Sequence, residues 1–257
     1  MRERKRDLPR LLREVYERLY KRFGPQGWWP GNGPWEVVVG AILTQSANWA
    51  NVERALARLK GAGALSPQAL RELPLERVAH LIRPSGYFRV KARKLRAFAE
   101  HLGRHWGDDL SAMLAQPGER LREELLSIYG VGEETADDIL LYAGGHPWFV
   151  VDAYTRRVLE RLGVAPPEKT YRAFQDLFHA NLPRDPALFN EYHALLVRLG
   201  KEVCRKRDPL CPHCPLRDLC PTGQGQAPPA SPAEGKAKGR RRRPGPPPAG
   251  RRRTRSP

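Results

Sequence analysis

The sequence predicts an all-α fold. Apolar residues recur every three or four positions along most of the chain, and Pro or Gly separates most of the periodic segments. No segment keeps the apolar–polar alternation expected of a half-buried strand. About 220 residues carry the helical pattern, which is enough for two small helical domains or one large domain.

The predicted helices follow one another along the chain. The first begins at Leu8, and the Gly24-Pro25 pair ends it because proline cannot continue a helix. The apolar run 35–44 has strand propensity, but its continuation through Leu59 favours two buried helices with a break near residues 45–48. Further helices are predicted over 66–72, 75–82, 88–104, 117–128, 133–143, 153–162, 168–180 and 186–203.

The charge balance indicates a polyanionic partner. The chain has 45 Lys and Arg residues against 28 Asp and Glu residues, for a net charge of +17. The segment from residue 221 onward accounts for +9, so the preceding 220 residues carry +8. A basic body of this kind is typical of nucleic-acid binding, although a solvated surface has the same composition. No run of 18 apolar residues is present, so we expect no membrane-spanning helix.

The C-terminal segment 223–257 consists mainly of Pro, Gly, Ala and Arg. Such a composition cannot bury enough apolar surface to offset the entropy of the chain, so we expect this segment to be disordered. Its two arginine clusters are typical of a nonspecific phosphate-binding arm.

A glycine-rich turn, Gly130-Val131-Gly132, joins two of the predicted helices. The glycines permit positive φ angles and leave backbone amides uncovered at the start of the second helix, where the helix dipole favours a phosphate. Val131 is expected to point inward and hold the turn. The pattern is that of a helix-hairpin-helix, and an ordinary αα-hairpin is the alternative.

Asp152 follows the apolar run 148–151 and precedes a predicted helix. At that position its carboxylate is a good N-cap, because it can accept a hydrogen bond from a free amide of the first turn. A carboxylate at a helix start beside apolar residues is also well placed as a catalytic anion. The sequence leaves both roles open.

The four cysteines of the chain lie in one short segment with the spacing C-x6-C-x2-C-x5-C: Cys204, Cys211, Cys214 and Cys220. Four thiolates so close together can surround an iron–sulfur cluster or a zinc ion. Zinc sites usually have two C-x2-C pairs, whereas this loop has one, so the spacing favours the cluster. Two disulfides need an oxidising compartment, and the charged N-terminus MRERKRDLPR has no apolar stretch to act as a signal peptide.

The glycine hairpin, the aspartate that follows it and the cysteine loop, in this order, resemble the endonuclease III superfamily of base-excision DNA glycosylases. The resemblance covers about residues 27–221. It implies a [4Fe–4S] cluster on the four cysteines and two helical domains with a DNA-binding groove between them. The implied domains are a six-helix barrel with the helix-hairpin-helix over 27–146, an iron–sulfur domain made of 1–26 with 147–222, and a basic tail over 223–257.

The resemblance also assigns residues to the DNA. Gln45 lies where family members insert a polar side chain into the gap left by a flipped base, and a hydrogen bond at a helix terminus is its alternative role. Arg205 and Arg207, in the cysteine loop, are expected to contact phosphate. The residues expected to bind DNA are Gln45, Gly130, Val131, Gly132, Thr135, Arg205 and Arg207.

The position two residues after Gly132 separates the branches of the superfamily. Bifunctional members carry there a lysine that forms a Schiff base with the sugar, whereas this chain has Glu134, which cannot form an imine. Members of the 3-methyladenine DNA glycosylase branch that are most similar lack the cluster, whereas this chain keeps the four cysteines. The segments that look most like this branch are 28–30, 40–45, 82–87 and 130–143.

An alkylated purine is electron-poor and often cationic, so stacking and cation–π attraction draw it to indole faces. Trp28, Trp29 and Trp49 are expected to form the base pocket, with a core role as the alternative for Trp28 and Trp29. Asp152 would stabilise the oxocarbenium-like sugar and polarise the attacking water. Glu134 is a further catalytic candidate that would shape the pocket or meet the positive base, or else lie favourably on the helix dipole. The nearby Asp138 is interpreted only as part of a solvated face.

The sequence therefore predicts a monofunctional DNA N-glycosylase that acts on alkylated purines in double-stranded DNA, without lysine-dependent lyase activity. We expect a cytoplasmic, nucleoid-associated monomer. One alternative is an endonuclease III-type glycosylase and lyase on oxidised pyrimidines, or a mismatch glycosylase. A noncatalytic, cluster-bearing DNA-binding protein is the other.

Overall fold

The computed structural model describes residues 7–225, and all regular structure in that part of the chain is helical, which confirms the predicted fold class. A π-helical turn, Ile139–Ala143, continues α9, and short 3-10 turns occupy Arg83–Ser85, Cys211–His213 and Thr222–Gln224. The α-helices are α1 (Leu8–Phe23), α2 (Pro34–Thr44), α3 (Trp49–Gly61), α4 (Pro67–Glu72), α5 (Leu75–Leu81), α6 (Phe88–Trp106), α7 (Leu110–Leu114), α8 (Gly118–Ser127), α9 (Glu133–Asp138), α10 (Ala153–Leu162), α11 (Tyr171–Asn181) and α12 (Pro186–Glu202).

Helices α2 to α9 enclose the first of two hydrophobic cores. Every one of these helices contributes buried apolar side chains to it. Helix α2 lies at its centre, because eight consecutive residues from Glu36 to Leu43 are buried. A helix that is apolar on all sides must be surrounded by others, as this one is.

The second core joins the N-terminal helix to the C-terminal part of the chain. Buried side chains of α1, α10, α11 and α12 pack there with Phe149, Val150 and Val151. The rings of Phe149 and Phe178 stack with their centroids 3.6 Å apart, and the Tyr192 hydroxyl donates to the Leu12 carbonyl at 2.8 Å. Two helical domains are therefore present, as the resemblance implied.

The chain passes from one core to the other within the π-helical turn. Leu140 belongs to the first core and Leu141 to the second. The boundary predicted between residues 146 and 147 lies a few residues beyond this point and stays a prediction.

Three details differ from the predicted elements. Helix α7 had no counterpart in the prediction, and the helix expected from 168 begins instead at Tyr171, after a Thr170 side chain that accepts from the Ala173 amide. The tail was expected from 223, but Thr222–Gln224 forms a turn, and residues 226–257 lie outside the described part. No helix within residues 7–225 is long and apolar enough to cross a membrane.

Candidate functional site

The glycine turn lies between the end of α8 and the start of α9. Gly130 has a φ angle of 85°, in the left-handed region that glycine adopts most readily. A Cβ atom at Gly130 would collide with the Lys94 side chain, which packs directly beneath the turn. Val131 is buried in the first core, while Gly132 is exposed at the start of α9. This local geometry is that of the helix-hairpin-helix predicted from the sequence.

Gln45 braces this hairpin from the end of α2. Its Nε2 donates to the Gly130 carbonyl at 3.1 Å and to the Thr135 hydroxyl at 2.8 Å, and Lys94 donates to its Oε1. Its side chain can therefore enter a DNA duplex only if its bonds to the hairpin break. Thr135 itself is buried, so its hydroxyl supports the hairpin through Gln45.

A cavity of about 420 Å³ opens beside the hairpin where the two domains meet. Residues from the loop before α2, from α3, α9, α10 and α12 converge on it. The structure thus brings together the three tryptophans, Glu134 and Asp152, which are far apart in the sequence. The aromatic and titratable residues that line the cavity are Trp28, Trp29, Trp49, Glu134, Asp138, Asp152, Tyr154, His193 and Lys201.

The three tryptophans form one aromatic wall of the cavity. The ring centroids are 5.4 Å apart for Trp28 and Trp29, 5.1 Å for Trp28 and Trp49, and 5.3 Å for Trp29 and Trp49. Trp29 reaches its place because Gly40 has no side chain: a Cβ there would lie 2.9 Å from the indole. The Trp29 ring also packs against Tyr142, with centroids 5.3 Å apart.

Asp152 lines the same cavity from the N-terminus of α10. Its Oδ1 accepts from the Thr155 amide at 2.7 Å, so the predicted N-cap is present. Its Oδ2 lies 3.8 Å from Nε2 of His193. One carboxylate oxygen therefore caps the helix while the other faces the cavity.

Two further carboxyl groups share the cavity with Asp152. Glu134 keeps contact with solvent in the groove, but the protein atoms around it and the Asp152 carboxylate raise its pKa to about 7, against a smaller opposing effect of Arg156. Burial raises the pKa of Asp138 well above its usual range, and Glu134 and Asp152 raise it further. Asp138 is therefore buried at the cavity, and its interpretation as part of a solvated face was wrong.

The neighbouring Asp137 has a different, structural role. It is fully buried and accepts from Nε of Arg122 and Nε2 of Gln175, both at 2.7 Å. This network ties α9 to α8 and α11. In the acidic run after the hairpin, Glu133 is therefore exposed, Glu134 and Asp138 line the cavity, and Asp137 lies in the protein interior.

Sequence reasoning missed the pair formed by Tyr142 and His193. The Tyr142 hydroxyl and Nδ1 of His193 are 2.5 Å apart, while Nε2 of His193 is buried without a hydrogen-bond partner among the described residues. Burial lowers the pKa of His193, with Asp152 opposing and Lys201 adding to that effect. A neutral imidazole held in this way orients its free nitrogen toward Asp152.

The four cysteines lie together on a loop that wraps the C-terminal end of α10. Each is half-buried and none forms a disulfide. Arg161 joins two of them: its Nη1 donates to Cys204 Sγ at 3.1 Å, and the Cys220 thiol donates to its carbonyl at 3.1 Å. Burial raises the pKa of Cys214 to about 11, so without a metal this thiol stays protonated at neutral pH.

Within residues 7–225 no group of three or more His, Cys, Asp or Glu side chains is arranged to hold a single metal ion. Arg205 and Arg207 are exposed on the cysteine loop.

Comparisons with known proteins agree with this architecture. A family model described as HhH-GPD superfamily base excision DNA repair protein matches residues 39–184. A protein of Methanocaldococcus jannaschii, named as a candidate DNA repair glycosylase, is 42% identical over 211 residues, which cover 82% of this chain and 96% of that protein.

Solved structures with the same fold include complexes with DNA or a base. A non-covalent endonuclease III–DNA complex superimposes with a TM-score of 0.74 at 25% identity, covering 84% of this chain and 97% of that one. A 3-methyladenine DNA glycosylase of H. pylori, bound to 1,N6-ethenoadenine, superimposes with a TM-score of 0.65 at 25% identity, covering 76% and 98%.

Proposed function

The chain belongs to the HhH-GPD superfamily of base excision DNA repair glycosylases, and on that premise we propose that it is a monofunctional enzyme for alkylated purines in double-stranded DNA. The observation that carries this proposal is the cavity in which three tryptophans face three carboxyl groups. The similarity to a 3-methyladenine DNA glycosylase supports the same substrate class.

The chemistry of the cavity fits a cationic base. The faces of Trp28, Trp29 and Trp49 offer stacking and cation–π attraction to an electron-poor ring. The Asp152 carboxylate adds negative charge, and Glu134, with a pKa of about 7, adds more when it ionises. A neutral pyrimidine gains less from either interaction, so charge selects alkylated purines over undamaged bases.

Asp152 is the proposed catalytic anion. Alkylation at N3 or N7 already makes the base a good leaving group, so the bond to the sugar breaks without a strong acid. The Asp152 oxygen that faces the cavity would stabilise the oxocarbenium-like sugar and polarise the attacking water. His193 would hold that carboxylate in place from behind.

The absence of an imine-forming lysine at position 134 supports monofunctional chemistry. Glu134 occupies the position two residues after the hairpin, and a carboxylate cannot form a Schiff base. Lys201 also lines the cavity, with its Nζ 6.0 Å from the Trp28 ring centroid, but it lies on α12 and not at the hairpin position where bifunctional members carry their lysine.

A [4Fe–4S] cluster is the proposed cofactor. Four half-buried cysteines converge on one loop, and Arg161 lies against Cys204, where its positive charge would stabilise a coordinated thiolate. Cys204, Cys214 and Cys220 also pack against the second core, so the cluster would fix this loop to the domain. Exposed Arg205 and Arg207 would then be held in position to meet phosphate.

A panel of duplexes tests the reaction. The duplexes carry 3-methyladenine, 7-methylguanine, thymine glycol or a G·T mismatch, and each is assayed with and without alkali. We expect excision of the alkylated purines, with strand breaks only after alkali. Cleavage of the thymine-glycol duplex with no action on methylated DNA would contradict the proposal.

Borohydride trapping tests the absence of lyase chemistry. We expect no covalent adduct between the protein and DNA, because Glu134 cannot form an imine. If an adduct does form, the Lys201→Ala variant shows whether Lys201 is the nucleophile, and the monofunctional assignment is then wrong.

The Trp49→Ala variant tests the pocket separately. One lost stacking partner is worth about 1–3 kcal/mol per base. Excision by this variant should therefore fall more than its affinity for undamaged DNA. If excision and affinity for undamaged DNA fall equally, Trp49 contributes to general DNA binding or to folding, and not to the base pocket.

A further inference from the structure

A second basic surface lies on the first domain and shares no residue with the cavity or with the cysteine loop. It combines side chains from α3, α5, the turn Arg83–Ser85 and the first turns of α6. We call it the arginine surface, and all of its members are exposed: Arg54, Arg58, Arg77, Arg83, Arg89 and Arg93.

These guanidinium groups lack acidic partners. Within residues 7–225 no carboxylate lies within ion-pair distance of any of them, whereas Arg18, Arg71 and Arg122 each pair with an acid. Six like charges that repel one another without compensation destabilise the free protein slightly. Such a cluster is typical of a surface that meets its counter-charge in a partner.

The arginine surface is concave and continuous. Two depressions, of about 530 Å³ and 580 Å³, adjoin there and share His80 and Arg83 in their walls. In the first depression, the guanidinium groups of Arg83 and Arg89 lie 6.0 Å and 5.5 Å from the centroid of the Phe88 ring. The ring orients both groups, and Glu76 is the one acid among the residues lining either depression.

The arginine surface also adjoins the hairpin. Buried Lys91 donates to the carbonyls of Leu43 and Ser85, at 2.8 Å and 2.7 Å, and so fixes the turn Arg83–Ser85 against the end of α2, where Gln45 meets the hairpin. On α6, Lys94 packs beneath Gly130. Because α6 has 3.6 residues per turn, Arg93 lies about 100° round the helix from Lys94.

Exposed apolar residues lie beside the arginine surface at the start of α6 and next to the hairpin at residue 129. Tyr87, at the start of α6, is 73% exposed, and Tyr129 and Val90 are also exposed. Exposed uncharged side chains beside arginines suit a duplex, in which phosphates border the grooves.

We propose that the arginine surface binds the phosphate backbone of the same duplex that the hairpin holds, as a second, sequence-independent contact. Arginine suits this role because its planar guanidinium pairs with two phosphate oxygens at once. The contact rests on the proposed function only in taking double-stranded DNA as the ligand. It concerns affinity, and the chemistry of the cavity does not depend on it.

Salt titration of DNA binding tests the proposal. The triple variant Arg58→Gln, Arg83→Gln, Arg93→Gln is compared with a control that removes the same charge from exposed arginines elsewhere, Arg13→Gln, Arg104→Gln, Arg120→Gln. The ligand is a short undamaged duplex. Each lost phosphate contact lowers the slope of log Kd against log salt concentration by about 0.9, so we expect a decrease of up to ~2.7 for the first variant and little change for the control.

Equal slopes for the two variants, with helix content unchanged in both, would overturn the proposal. A loss of binding to polyglutamate or to single-stranded RNA, with duplex binding unchanged, would also overturn it and identify a different partner. The single-turnover excision rate at saturating DNA should be unaffected. If the wild-type protein excises no alkylated purine but the slopes still differ, the proposed function fails while the arginine surface stands.

Discussion

At the scale of single residues, the two oxygens of Asp152 have separate tasks. Oδ1 caps α10 through the Thr155 amide, while Oδ2 faces the cavity beside His193. An asparagine keeps an oxygen for the cap and loses the charge. We therefore expect Asp152→Asn to abolish single-turnover excision while binding of lesion-containing DNA and the Tm stay close to wild type.

The Asp152→Ala variant separates the two tasks of this residue. It removes the cap as well as the charge, so the free energy of unfolding should fall by a further amount of about 0.5–2 kcal/mol. An Asp152→Asn protein that unfolds, or one that still excises bases, would contradict the catalytic assignment.

The raised pKa of Glu134 should make the stability of the protein depend on pH. Folding raises its pKa from 4.5 to about 7, so the folded protein binds more protons than the unfolded chain between these pH values. Protonation of Glu134 therefore contributes to the free energy of unfolding fully below pH 4.5, and this contribution is lost as the pH rises through 7. Removing the carboxylate with Glu134→Gln should therefore raise the free energy of unfolding at pH 8 relative to wild type.

Glu133→Gln is the matched control for this effect. Glu133 is the adjacent residue of the same helix and lies on the exposed side, 3.6 Å from Arg122. Urea unfolding at pH 5 and pH 8 measures both variants. If Glu133→Gln stabilises the protein at pH 8 as much as Glu134→Gln, general surface charge explains the effect.

The single residues that could be predicted from the sequence are those marked by a local pattern. Asp152 and the four cysteines belong to short segments whose neighbours are the basis of their predicted roles. His193 and Tyr142 have no such local signal, because a histidine in the middle of an apolar helix such as α12 reads as an ordinary buried side chain. Asp138 was misinterpreted because a run of acids predicts solvent exposure until the rotation of α9 is known.

At the scale of elements, the close approach of α2 to the tryptophan wall depends on Gly40. A Cβ at this position would lie 2.9 Å from the Trp29 indole, which is too close for any side chain. Alanine favours helix over glycine by about 1 kcal/mol, so the substitution would otherwise stabilise α2. We expect Gly40→Ala to displace Trp29 and to reduce excision of alkylated purines, with weaker effects on undamaged DNA.

Gly61→Ala is the control for Gly40→Ala. Gly61 is also a helical glycine, the last residue of α3, but a Cβ atom there would meet nothing within 4 Å. Intrinsic tryptophan fluorescence should change for Gly40→Ala and stay as in wild type for Gly61→Ala. Unchanged fluorescence and activity in both variants would contradict the dependence of Trp29 and of the pocket on Gly40.

The long helices could be predicted because their apolar residues repeat over several turns. The break between α2 and α3 was placed at residues 45–48, and the structure ends α2 at Thr44 and begins α3 at Trp49. Helix α7 was missed because a five-residue helix shows hardly more than one turn of periodicity. Its start is signalled only by Asp109, which caps the Ala112 amide at 2.9 Å.

At the scale of the whole molecule, the cavity exists because two cores meet. Its tryptophans come from the first half of the chain, Asp152 from the start of α10, and His193 and Lys201 from α12. The cysteine loop in turn secures α1, since Arg18 donates to Asp218 at 2.6 Å and to the Pro215 carbonyl at 3.3 Å. Sequence periodicity predicts neither contact, because both depend on how the domains pack.

With the proposed cluster bound, the cysteine loop would couple metal content to the stability of the second domain. We expect the purified protein to be brown and to contain iron and acid-labile sulfide in equal amounts. Losing the cluster through Cys214→Ser should free the loop that contacts α1, at a cost of a few kcal/mol, and lower the Tm by about 5–10 °C for a protein of this size. Thermal unfolding and iron analysis of both proteins measure this. A colourless protein that holds one zinc ion, or a Cys214→Ser variant with unchanged Tm and iron content, would contradict the proposed cofactor.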